Sequence, residues 1–252
     1  MSFRFDGVTV AVTGAGHGFG RAIARDFAAL GARVWGCDLS EAELRETAAG
    51  NEAIHTEAFD LTAPGAARGW IARVEQQSGG PLGVLVCNAG GVRGQVMRPV
   101  EEVPEEDWHA LFDINLHAAF NMCAAAAPGM KRAGAGRIVT VSSGAGLQRS
   151  LTGIQGYCSA KHGLVGLTRQ LAHELGPFGI TVNSVAPGFA PTNPASIAQY
   201  ESYGPEGQKR LVEGIALRRM GTAQDISNAV LFFASPLASW VSGEILGVNG
   251  GK

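Results

Sequence analysis

Among its 252 residues the chain has no Cys-x-x-Cys and no His-x-x-x-His, so its four cysteines and six histidines lack the spacing of a metal site. Cys37, Cys87 and Cys123 lie in or beside apolar segments, as small buried hydrophobes do. Cys158 adjoins Tyr157, where an oxidation-sensitive thiol is the alternative to a packing role. Charge of one sign is missing too. Twenty basic and 22 acidic residues are mixed along the chain, for a net charge of -2, and no basic stripe invites nucleic acid. No run reaches membrane-spanning length, and the opening Met1–Asp6 has no apolar signal core, so a cytoplasmic protein without a membrane anchor is expected. No linker or composition shift marks a second domain. With 46% hydrophobic residues, one domain over 1–252 has enough apolar surface for a substantial core.

What is present is an alternation. Short apolar runs at Val8–Thr13, Arg33–Asp38, His55–Phe59, Val84–Cys87, Arg137–Ser142, Thr181–Ala186 and Ile245–Asn249 read as strands. Between them lie helical stretches at Arg21–Leu30, from Ser40 onward, around Trp70 and Val74, at Asp107–Met130 and at Gln155–Gly176. Ser40 with Glu43 reads as a capping box, and the 107–130 stretch is expected to break near Asn115 and near Pro128. Strand and helix repeated in this way predict an α/β fold, a Rossmann-like doubly wound parallel sheet of about seven strands covered on both faces. Residues 188–214 break the rhythm, carrying Pro191, Pro194 and Pro205 and few periodic apolars. They read as a long loop that forms a substrate lid, the alternative being a disordered insertion.

Two features carry chemistry. Directly after the first strand stands Thr13-Gly14-Ala15-Gly16-His17-Gly18-Phe19-Gly20. Its glycines would let backbone amides approach a pyrophosphate at the start of a helix, although a turn of this kind can also be purely structural. Asp38 ends the second strand about 20 residues on, where a carboxylate bonds adenosine ribose hydroxyls and repels a 2′-phosphate. NAD is therefore expected over NADP. His17, if protonated, would pull the other way, and Asp38 could instead be a helix-flanking acid. The second feature is Tyr157 and Lys161, four apart and so on one helical face. An ammonium near a phenol is expected to lower its pKa from about 10 toward neutrality, fitting it for proton exchange with a substrate oxygen. A snorkelling surface pair would look the same in isolation.

Together these residues resemble the short-chain dehydrogenase/reductase family, in its single-domain branch of about 250 residues. The resemblance runs from Thr13 to Gly250. It rests on the glycine turn, Asn88-Ala89-Gly90, Asn115 in the long helix, Ser143 after the fifth strand, Tyr157-x-x-x-Lys161, and Pro187-Gly188 with Thr192. It implies that Tyr157 is the general acid and base, that Lys161 tunes it and holds the nicotinamide ribose, and that Ser143 bonds the substrate oxygen. Asn115 would anchor a water that links Lys161 to solvent. Ser142 rivals Ser143, which is preferred because Gly144-Ala145-Gly146 follows it. Besides Tyr157 and Lys161, the dinucleotide would lie against Gly14, His17, Gly18, Phe19, Gly20, Asp38, Leu39, Asp60, Leu61, Asn88, Ala89, Gly90, Pro187, Gly188 and Thr192. Cys87 departs from the family, many of whose members have another Asn there.

The resemblance implies an NAD-dependent oxidoreductase acting on a small alcohol or carbonyl substrate, and a homotetramer built by pairing long helices and C-terminal strands. A 3-oxoacyl-thioester reductase of the NADPH type is the enzymatic alternative, and a non-catalytic nucleotide sensor on the same fold the other. Arg93, Gln148 and Arg149 would suit an anionic substrate or be plain solvated loop residues. Leu147, Ile154 and Phe189 would frame an aromatic or alkyl ketone.

Overall fold

The computed structural model describes residues 3–252. One sheet organises them. Its strands are β1 (Thr9–Thr13), β2 (Arg33–Asp38), β3 (Ile54–Ala58), β4 (Val84–Cys87), β5 (Gly136–Val141), β6 (Ile180–Pro187) and β7 (Ile245–Val248). They are all parallel, in the order β3-β2-β1-β4-β5-β6-β7. The helices are α1 (Gly18–Ala29), α2 (Glu41–Ala48), α3 (Ala66–Ser78), α4 (Glu105–Phe112), α5 (Ala118–Ala133), α6 (Gln155–Leu175), α7 (Pro194–Ser202), α8 (Gly204–Glu213) and α9 (Ala223–Ala234).

Strand residues alternate between two cores. Val10, Val12, Val84, Val86, Val139 and Val141 face the side where Ile23 and Phe27 of α1 meet Val230 and Phe233 of α9. Ala11, Leu85, Cys87 and Ile138 face Trp70 of α3, Met122 of α5 and Leu164 of α6. A central strand so buried on both faces has no polar side to show, which is why β4 reads Val-Leu-Val-Cys. The strand order reverses direction between β1 and β4. At such a switch point the connections leave in opposite directions and open a crevice beyond the carboxyl ends of the strands.

Two sequence expectations, at Pro128 and over 188–214, need correction, while the expected break near Asn115 is present and the capping box at Ser40 is met in part. Pro128 does not interrupt α5, which runs through it unbroken to Ala133; packing of Met122, Ala126 and Met130 into the core holds the helix across the lost hydrogen bond. The break near Asn115 is a π-helical turn, Asp113–His117, that joins α4 to α5. Segment 188–214 is not an extended loop, because it folds into α7 and α8. Asn193 caps α7 reciprocally with Ser196, and Pro194 occupies the first turn, where its missing N–H costs nothing. The capping box at Ser40 is half realised. Its hydroxyl accepts from Glu43 N at 3.3 Å, but the Glu43 carboxylate turns to Arg21 instead.

Candidate active site

Two short turns after β1 and β4 lock together to make the floor of the crevice. Thr13 Oγ1 accepts from the backbone N–H groups of Asn88 and Ala89, each at 3.0 Å. Asn88 Nδ2 donates to the carbonyls of Thr13 and Gly14, also at 3.0 Å. Gly14 has φ +66, and a Cβ there would approach Asn88 Nδ2 and Ala89 Cα at 2.9 Å. Gly20 lies beneath the turn, where a Cβ would collide with the Gly14 carbonyl. It therefore lets α1 start close under the loop and does not face the crevice.

The Gly16 peptide is held at both ends. Its N–H donates to Asp38 Oδ2 at 2.9 Å, and its carbonyl accepts from Arg21 Nε at 2.9 Å and Nη2 at 2.6 Å. Arg21 is in turn paired with Glu43 and Glu46, each at 2.5 Å. The other oxygen of Asp38 accepts from Leu39 N at 2.7 Å. Sequence reading missed Arg21, although Glu43 and Glu46 are three apart on α2 and so share a face toward it.

The crevice is a cavity of about 360 Å³. Asp38, Leu39, Asp60 and Leu61 line one end, with Phe59. Gly14, His17, Phe19, Asn88, Ala89 and Gly90 line the middle, and Ser142, Tyr157 and Lys161 the other end. Asp60 accepts from Thr62 N at 2.8 Å and Thr62 Oγ1 at 2.7 Å, and these bonds hold its carboxyl below the ordinary range. Arg93, Ile114 and Asn193 also line the cavity. Arg93, read from sequence as a candidate substrate wall, lies close enough to Asp60 to act on its charge.

Asn115 sits in the π turn, fully buried, with both amide N–H groups bonded and Oδ1 accepting once. Nδ2 donates to the carbonyls of Gly91 and Leu111, and Oδ1 accepts from Gly91 N, all at 2.9 Å. The side chain is a clamp on the loop after β4, and Oδ1 keeps a second lone pair for a further donor. A Cβ on Gly90 would come within 2.6 Å of Asn115 Oδ1 and 3.1 Å of Lys161 Nζ, so only glycine fits between them.

The two candidate serines separate cleanly. Ser142 is buried and donates to the Lys161 carbonyl at 3.1 Å. Ser143 caps the turn Gly144–Gly146 and faces the Tyr157 phenol, whose ionisation its hydrogen bond favours. Tyr157 and Lys161 share the inner face of α6, the ammonium 5.8 Å from the ring centre. The expected depression of the Tyr157 pKa by Lys161 is not what this arrangement produces. Burial raises the phenol above its ordinary value, and the contact with Ser143 is what opposes the rise. Lys161 is itself buried, one of its three N–H groups donates to the Val141 carbonyl at 2.9 Å, and desolvation lowers its pKa to about 8.

A family model described as enoyl-(acyl carrier protein) reductase matches residues 14–252. The 3-oxoacyl-[acyl-carrier-protein] reductase FabG of Escherichia coli K12 is 33% identical over 251 residues, covering 98% of each chain. The chain belongs to the short-chain dehydrogenase/reductase family. The 7alpha-hydroxysteroid dehydrogenase of E. coli K12 is likewise 33% identical, over 99% of this chain and 96% of its own length. A solved chain assigned as a short-chain alcohol dehydrogenase from Sinorhizobium meliloti 1021 superposes with a TM-score of 0.89 at 32% identity, covering 99% of this chain and 97% of that one. Levodione reductase does so with 0.88 at 29%, covering 98% of each.

A short-chain dehydrogenase/reductase works with a nicotinamide dinucleotide, and the crevice fits one. Thr192 Oγ1 is buried without a hydrogen-bond partner, and both it and the Thr192 carbonyl lie 3.2–3.3 Å from where a Gly18 Cβ would stand. A buried hydroxyl left unpaired beside a helix N-terminus is a group waiting for an acceptor or donor from a ligand. Pro187 and Gly188 do not line this cavity, although the Pro187 carbonyl lies 3.6 Å from where a Gly144 Cβ would stand. Pro187 pairs in register with Val248, and Gly188 N donates to the Val248 carbonyl at 2.9 Å. Gly188 borders a second cavity of about 440 Å³ with Ile215, Leu246 and Asn249. Among the described residues no three His, Cys, Asp or Glu side chains gather as metal ligands, and no helix is long and apolar enough to cross a membrane.

Proposed function

We propose that this short-chain dehydrogenase/reductase moves a hydride between NAD(H) and a secondary alcohol or ketone, with Tyr157 exchanging the proton on the substrate oxygen. The observation that carries this reading is one crevice that runs from Asp38 and the glycine turn to Tyr157 and Lys161, with Ser143 beside the Tyr157 phenol. Nicotinamide supplies or accepts the hydride. The chain's own part is to aim donors. Tyr157 and Ser143 both direct hydroxyls at the place of the substrate oxygen, where negative charge develops on reduction. Burial raises the phenol above its ordinary value and so favours the protonated form, the one a ketone reduction needs. Lys161 places a cation nearby, anchored by Val141, to offset the phenolate as it forms. Asn115 fixes the Gly90-Gly91 turn that the substrate would pass. The catalytic set is thus Asn115, Ser143, Tyr157 and Lys161, within a single domain over 1–252 that would act as a homotetramer.

NAD is favoured over NADP by Asp38. Its carboxylate is pinned at the crevice by Gly16 and Leu39, where its charge repels a 2′-phosphate, and Leu39 beside it is exposed and uncharged. The likeness to FabG supports a second reading, reduction of a 3-oxoacyl thioester. One assay separates them. Quenching of tryptophan fluorescence by NADH and NADPH, then absorbance at 340 nm over alcohols, ketones and an acetoacetyl thioester, should show NADH binding and ketone turnover. Tight NADPH binding with turnover confined to the thioester would replace the first reading with the second. Binding without any turnover would leave a nucleotide sensor.

A further inference from the structure

The loops that follow β4 and β5 leave the sheet at the same end as Tyr157, and both carry large apolar side chains into water. Val96, Met97, Leu147 and Leu151 are each between 47% and 67% exposed. The two loops touch. A Cβ on Gly153 would meet Met97 Cγ at 2.7 Å, Gln155 Nε2 donates to the Arg98 carbonyl at 2.9 Å, and Val96 shares a small cavity with Ile154 and Gln155. The patch adjoins the reacting end. Leu147 closes the short turn that Ser143 caps, and Cys158, next to Tyr157, donates its thiol to the carbonyls of Ala145 and Gln148. Over residues 144–156 Arg149 is the single charge, and over 91–97 Arg93 is. Scattered apolar residues on a surface are ordinary, but four on two touching loops beside a catalytic hydroxyl are not.

We propose that these loops form an apolar platform for the substrate, and that the substrate is a secondary alcohol or ketone with an extended apolar body on one side of the carbinol carbon. The inference rests on the oxidoreductase reading above and sharpens it. Continuity with Ser143 and Tyr157 is what selects a substrate body as the occupant. An apolar chain that left past the turn that Ser143 caps would run onto Leu147. A fully buried methylene is worth about fourfold in binding. A platform covers one side only, so each added methylene should raise kcat/KM about twofold, half of that increment in free energy.

The test is a series of unbranched 2-ketones of increasing length, reduced with NADH by the native chain and by Met97→Asp and Leu151→Asp. Native kcat/KM should climb about twofold per methylene, and both variants should flatten the climb. Both side chains are exposed, and thermal melting checks that the variants fold. A flat native series with measurable turnover overturns the platform and leaves the oxidoreductase reading standing. A climb that survives both substitutions overturns it as well. A change in assembly mass by light scattering in either variant would assign the patch to contact between copies. No turnover with any member, while NADH still quenches tryptophan fluorescence, sinks the oxidoreductase reading and this proposal with it.

Discussion

The two ends of the crevice are built by different means. At the dinucleotide end the contacts are backbone to side chain. Thr13, Asn88, Asp38, Arg21 and Thr47 each bond a peptide group of the glycine turn or its neighbour. At the substrate end the functional groups are side chains with room left. Tyr157 is half-buried, Ser143 keeps only Ala145 N and the phenol, and the surrounding loops show apolar residues to water. A scaffold tied by internal bonds holds one shape for a ligand that never changes. Sparse walls on mobile-length loops are what differ when one fold serves many substrates.

The comparison predicts that damage at the substrate end falls on turnover and damage at the other end falls on cofactor choice and folding. Tyr157→Phe should give the largest effect, a loss in kcat of at least about 100-fold, the usual order for a proton-transfer group. Steady-state rates at saturating ketone check this, and near-normal turnover would remove Tyr157 from the chemistry. Asp38→Ser should shift the ratio of NADH to NADPH dissociation constants by about tenfold toward NADPH, equivalent to 1.4 kcal/mol of relieved repulsion. Fluorescence titration with each dinucleotide reads it. An unchanged ratio would mean that the carboxylate serves Gly16 and Leu39 alone.

The same division explains what could be read from the sequence. The inner strands, buried on both faces, announce themselves as apolar runs, and the alternation with helices made the edge strands β3 and β7 and the parallel arrangement legible too. Gly14 was legible because a positive φ beside another backbone tolerates nothing else. Arg21 was not, because its target is a carbonyl, and carbonyls leave no trace in residue type. The helices α7 and α8 were hidden by prolines that in fact sit in their first turns. The direction of the Tyr157 shift was misjudged for a physical reason. Spacing on a helix fixes which face two side chains share, but not how deeply the phenol is buried, and burial is what raises it.

Smaller effects sharpen the comparison further. Gly20→Ala drives a methyl into the Gly14 carbonyl, an overpacking that costs about 1–3 kcal/mol. For a chain of this size that corresponds to a fall of roughly 2–10 °C in melting temperature. NADH affinity should fall with it, since the turn must shift to make space. A variant that melts like the native chain would show that the turn yields freely.

Lys161→Met tests the smallest term, through pH. The folded pKa of Lys161, about 8, lies below its ordinary value, so between pH 8 and about 10 the unfolded chain binds more protons than the folded one. Stability contributed through this group therefore rises with pH across that window. Tyr157 acts with the opposite sign and higher up. Its raised pKa lets the folded chain keep a proton that the unfolded chain loses above about pH 10, so its contribution falls there. Lys161→Met removes a buried charge whose main partner is one carbonyl. Its melting temperature should exceed the native value at pH 7 by a few degrees, at about 2–4 °C per kcal/mol, and the two curves should converge toward pH 10. Melts followed by circular dichroism at pH 7, 8.5 and 10 give the answer. Parallel curves would mean that the ammonium is solvated in the folded chain, and the cation assigned beside Tyr157 would then face water instead of the crevice.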